Sequence, residues 1–89
     1  MKIEFPAGSA FDFDRLLVVF PVIIDGQRRR ILISCEALQD HFGAPTGPTA
    51  DGQSFVRAFE ANRGRIEAMA ERLIQMGVAG EILLKSEFF

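Results

Sequence analysis

Apolar residues recur at every second position in some stretches of this chain and at helical spacing in others. The order of those stretches predicts a small α+β domain. Residues 2–5 read as a short strand, stopped by Pro6 and the small residues Ala7, Gly8 and Ser9. Phe11-Asp12-Phe13-Asp14 reads as a turn anchored by two rings. Residues 16–24 and 28–34 are strands rich in β-branched side chains. They are joined at Asp25-Gly26, a pair suited to a type I′ hairpin turn, which needs positive φ at both central residues. Pro21 has no amide donor and belongs at an edge or bulge of the sheet.

Helical spacing takes over after the hairpin. Ser34 is placed to cap a short helix over residues 35–42, with Glu36 in its first turn favoured by the helix dipole. Gly43 ends it, and the Gly, Pro and Thr of residues 43–50 make a loop. Asp51 caps a second, long helix predicted over residues 52–76, with Gly77 as its terminator. Phe55, Phe59, Ile66, Met69, Ala70 and Leu73 fall on one stripe, widened by Val56 and Ile74. Arg57, Glu60, Glu67, Glu71 and Arg72 take the opposite side. A last strand over residues 82–88 closes the sheet. The expected fold is one two-layer domain spanning residues 1–89. Its antiparallel sheet of three or four strands is built on the central β-hairpin, with two helices packed on one face.

Composition narrows the picture. Hydrophobic residues make up 48% and charged residues 25%, values of a chain that folds around a core. Nine Phe with no Tyr or Trp place the aromatic rings in a core or a buried interface, because Phe has no polar handle. The single Cys excludes an intramolecular disulfide and a multi-cysteine zinc site, and a lone thiol suits a reducing cytosol. The apolar run over residues 16–24 is too short for a membrane helix and contains Pro21. The first residues lack a signal-peptide apolar region, so a cytoplasmic location is expected. A net charge of −2 gives no general attraction to polyanions.

Three pieces of the chain carry a resemblance. Ile33-Ser34-Cys35-Glu36-Ala37-Leu38 is followed by Phe42-Gly43. Phe59-Glu60 is followed by Asn62-Arg63 and Ile66-Glu67. Gly80-Glu81-Ile82-Leu83-Leu84 ends in Glu87-Phe88. In this order and spacing the chain resembles the small bacterial family known as domain of unknown function 1488, over nearly its whole length. The resemblance implies a small bacterial α+β protein and brings no activity, cofactor or catalytic residue with it.

The residues supply few chemical candidates. Cys35 and His41 are the one thiol and the one imidazole, but six residues on a helix set them roughly 120° apart around its axis. A nucleophile–base contact is therefore not expected, and no enzyme is predicted. Glu36, Asp40 and His41 lack the ligand spacing of a helical metal site, so neither metal nor cofactor is expected. In Arg28-Arg29-Arg30, strand alternation puts Arg28 and Arg30 on one face and Arg29 on the other. This divided charge supports nucleic-acid binding only as the alternative function. Asn62 interrupts the centre of the long helical stripe, with Arg63 at its margin. A buried amide without partners costs about 1–3 kcal/mol, so a backbone tie, a polar pocket or an interface anchor is expected there. Gly64 follows on the solvent side.

Residues 16–24 are apolar on both strand faces. A half-solvated antiparallel sheet should alternate instead, so its second face needs cover. The candidates are the Phe-rich N-terminal segment, Phe88-Phe89, or another copy of the chain. These features predict a non-enzymatic binding or regulatory module that forms a homodimer, with an unidentified protein as the other partner left open and no membrane. Asn62, Arg63, Arg28 and Arg30 are its candidate binding residues.

Overall fold

A computed structural model describes residues 1–78 and 80–89, with Thr49 through its backbone only. Strand β3 (Leu17–Ile24) and β4 (Gln27–Ser34) form the central hairpin, paired from Leu17–Ser34 to Ile24–Gln27. Asp25 and Gly26 have φ of 50° and 83°, both positive as a type I′ turn requires. β1 (Ile3–Glu4) and β2 (Ala10–Asp12) both lie antiparallel along the outer edge of β3. β1 is matched to Ile23 and Ile24, and β2 to Leu17, Val18 and Val19. Among the described residues, the stretch Phe20–Val22 between them has no strand partner on that side. In the hairpin ladder Pro21 stands opposite Arg30, one step off the hydrogen-bonded pair Val22–Arg29. Its nitrogen therefore faces the gap, and no ladder bond is lost.

Two strand predictions are corrected. Phe11 and Asp12 belong to β2, and the turn follows them: Asp12 Oδ1 accepts from the amides of Asp14 and Arg15 at 3.0 and 3.1 Å. Strand β5 (Ile82–Leu84) stops four residues short of Phe88 and gives way to a 3₁₀ turn, Ser86–Phe88. It pairs with β4 in parallel, Ile31 with Ile82 through Ile33 with Leu84, so the sheet is mixed and not antiparallel throughout. Physically, β5 arrives after a helical crossover, and such a connection returns the chain in the same direction.

Helix α1 (Cys35–His41) starts where Ser34 Oγ accepts from the Ala37 amide at 3.1 Å. The long helix is the largest correction: it is two helices, α2 (Gly52–Ala61) and α3 (Arg63–Gln75), broken at Asn62 with φ −122° and ψ 19°. Asp51 and Ser54 form a reciprocal capping box at the start of α2, at 2.7 and 3.0 Å. Gly52 is required there. A Cβ at that position would lie 2.7 Å from Cδ2 of Phe11, whose ring stacks on Phe55 at 5.7 Å. Past α3, the Gly77 and Val78 amides return to the carbonyls of Ile74 and Leu73, a Schellman closure.

The three helices share one face of the sheet. Val18, Phe20, Val22, Ile31, Ile33, Ile82 and Leu84 meet Ala37, Leu38, Phe42, Phe55, Phe59, Ile66, Ala70, Leu73 and Ile74 in one core. Phe20 and Phe59 approach to 4.7 Å between ring centres. The Phe-rich segments thicken this same side: Phe5 packs against Phe20, Phe11 against Phe55, and Phe89 against Phe42. The other face carries Glu4, Ile23, Arg28, Pro21, Arg30, Val19, Leu32 and Leu83, by their pairing register. Leu32 and Leu17 are buried there among their sheet neighbours, while Val19, Pro21, Ile23 and Leu83 remain half-buried.

Candidate functional site

Asn62 breaks the helix and binds what the break exposes. Its Nδ2 donates to the carbonyl of Ala58 at 2.9 Å and to that of Phe42, at the end of α1, at 3.3 Å. It is half-buried, and its amide ties α2 to α1 through backbone carbonyls. The apolar stripe is thus interrupted because the helix itself is interrupted. Gly64, expected mid-helix, is the second residue of α3, and a Cβ there would meet nothing within 4 Å.

Arg63 lies at the hub of a polar cluster, with 17% of its side chain exposed. Nε donates to Glu67 at 2.7 Å, Nη1 to Glu60 at 3.0 Å, and Nη2 to the carbonyl of Pro6 at 2.8 Å. Its guanidinium also lies 5.1 Å from the ring centre of Phe59. Ser9 Oγ donates to Glu60 at 2.7 Å. That hydroxyl, with help from Arg63, holds the Glu60 carboxyl below its ordinary pKa against a desolvation cost. The cluster clamps the arm between β1 and β2 to the junction of α2 and α3. A charge-assisted bond contributes about 1.5–3 kcal/mol, so the clamp fixes the arm's path.

Arg28 and Arg30 are exposed on the open face, as alternation requires, and Arg29 turns the other way to donate to the carbonyl of Gly80. Glu81 is held by Arg15 at 2.8 Å and lies 3.7 Å from Arg30. Since Arg15 precedes β3 and Glu81 precedes β5, this pair bridges the width of β3 and β4. It lowers the pKa of Glu81, chiefly through the Arg15 hydrogen bond. Glu4 is engaged by Lys2 at 3.1 Å. Among the described residues, Arg28 has no carboxylate within ion-pair distance.

Asn62–Arg63 and Arg28–Arg30 do not share a site: the first pair belongs to the helix side and the second to the open face. The arm connects them. Clamped by Arg63 at Pro6 and by Glu60 at Ser9, it forms with Pro21 and the arginines a cleft of about 300 Å³. The sequence reading missed this arm. Its signals were a run of small residues, Ala7 to Ala10, and a proline in the middle of an otherwise regular strand.

Cys35 and His41 lie in different surroundings. Cys35 is buried in the core, and desolvation raises its thiol pKa. His41 is exposed, with Nε2 3.0 Å from the carbonyl of Ser86. Among the described residues, no three His, Cys, Asp or Glu side chains form a group that could hold a metal ion. No described helix is long and apolar enough to cross a membrane.

The fold defines the class: a small α+β domain with an open mixed sheet, helices on one face and a clamped arm at the split edge. Residues 3–84 match the model of a family described as protein of unknown function, DUF1488, and the chain belongs to that family. Searches of curated proteins and of solved structures return no match.

Proposed function

We propose that this protein is a non-enzymatic binding or regulatory module that associates with a second copy through the open face of its sheet. The observation that carries this reading is the row Val19, Pro21, Ile23 and Leu83, half-buried on the face opposite the phenylalanine-lined core. Apolar surface of this kind favours association. Charge favours one orientation of that partner. The β4/β5 side of the face carries Arg28, Arg30 and Lys85 against Glu81, while on the β1/β2 side Glu4 and Asp12 are balanced by Lys2 and Arg15. A two-fold axis parallel to the strands sets the cationic side of one copy on the balanced side of the other. An axis across the strands stacks cationic side on cationic side and is disfavoured. The separation of Cys35 from His41 supports the non-enzymatic part.

Light scattering on a sizing column across a micromolar concentration series tests the proposal. The expected mass is twice 9.9 kDa, falling to 9.9 kDa in the double variant Val19→Asp, Ile23→Lys. A wild-type chain that stays at 9.9 kDa throughout overturns it. Binding of a nucleic acid with steep salt dependence would favour the arginine strand instead.

A further inference from the structure

We propose that the cleft between the clamped arm and the arginine strand binds a small organic anion: a carboxylate or phosphate group on a compact apolar body. The volume of about 300 Å³ lies at the small end of ligand sites. Its apolar floor is Val19 and Pro21, with Phe20 between them turning its ring to the helix side, and its β4 wall is Arg28, Arg29 and Arg30, of which Arg28 and Arg30 share the open face. The gap beside Pro21 makes the floor accessible. The proline offers no amide to the missing strand, so this length of β3 edge is not a template for another strand.

Charge at the cleft is in surplus. Glu81 is held first by Arg15, and Glu4 by Lys2, which leaves Arg30 weakly paired and Arg28 unpaired among the described residues. Two guanidiniums at alternate positions of one strand stand side by side on the same face, where both can donate to one oxyanion. The opposite wall is a short arm of small residues held at both ends by hydrogen bonds to the α2–α3 junction. A wall fixed in this way loses little freedom when a ligand enters. Arg63 is accordingly a positioning residue for the cleft, and it does not touch the ligand.

The inference stands on the cleft and not on self-association, although a ligand there occupies part of the face offered to a second copy. Nuclear magnetic resonance titration of the ¹⁵N-labelled chain reads binding in either oligomeric state. The probes are phenyl phosphate, benzoate, inorganic phosphate and neutral benzyl alcohol. Saturable shifts centred on the amides of Gly8, Ser9, Val19, Phe20, Arg28 and Arg30 are expected with phenyl phosphate or benzoate, and weaker ones with inorganic phosphate. The double variant Arg28→Gln, Arg30→Gln should weaken binding at least about tenfold, as expected for lost charge-assisted bonds. Arg72→Gln, an exposed cation on α3, should leave it unchanged. The proposal is overturned if neither organic anion gives saturable shifts, if benzyl alcohol matches them, or if Arg72→Gln costs as much as the double variant. Inorganic phosphate binding as tightly as phenyl phosphate overturns the apolar-body assignment.

Discussion

On the helix side of the sheet, Val18, Phe20, Ile31 and Ile33 are at most 1% exposed. On the other side, Val19, Pro21 and Ile23 of β3 stay half-buried. Along β3 the residue types are alike, so hydrophobicity does not separate the two faces of that strand. What separates them is where the phenylalanines go. Six of the nine (Phe5, Phe11, Phe42, Phe55, Phe59 and Phe89) pack in or against the helix-side core, where Phe20 of β3 meets Phe5 and Phe59. The open face receives instead a long ion pair, Arg15–Glu81, with Arg30 beside it. Such pairs cover apolar neighbours with methylene stems while leaving their charges in water.

The largest effect should come from deleting a ring on the covered face. Phe20→Ala should cost about 3–5 kcal/mol in urea denaturation, a large share of the stability of a domain this small. Val19→Ala, one residue away on the open face, should cost about 1 kcal/mol or less at concentrations where the chain is monomeric. Equal losses would abolish the distinction between the faces.

Next in size is the α2–α3 junction. Asn62→Ala leaves the Ala58 and Phe42 carbonyls without their donor and should cost about 1–2 kcal/mol, read from the same denaturation midpoint. This position also shows how far the sequence was legible. Regular elements followed from local rules: the hairpin from Asp25-Gly26, α1 from its Ser34 cap, and the helix side from the stripe. The sequence marked Asn62 as an anomaly but did not reveal the break. Residues on either side of it keep helical spacing, and only contact with α1 gives the amide a reason to leave the helix. The cleft was less legible still, because it depends on Pro6 and Ser9 meeting Arg63 and Glu60, more than fifty positions away.

Acid should sharpen the contrast between clamp and bridge. Glu60 and Glu81 both have folded pKa values below the ordinary 4.5, so each contributes stability that is present above 4.5. That contribution is lost as pH falls through their folded values. Ser9→Ala should flatten the Glu60 part of this acid limb, because the Ser9 hydroxyl is the main cause of that shift. Thermal denaturation at a series of pH values below 5 checks it. The smallest effect should be favourable. Gly64→Ala adds a Cβ that meets nothing within 4 Å and should raise stability by about 0.5 kcal/mol, measurable as a shift in melting temperature.

The parallel seating of β5 has a consequence for how the molecule comes together in time. The β3–β4 hairpin joins near neighbours and can close in about 1–10 microseconds. Ile82 reaches Ile31 only after the whole helical crossover has been brought round, a long-range closure that must be met before its contacts repay it. Until then Ile31 and Ile33 lie along a bare strand edge, the species most prone to pair with a neighbouring chain. Refolding should therefore be cleanest when dilute, with the hairpin waiting for its last strand.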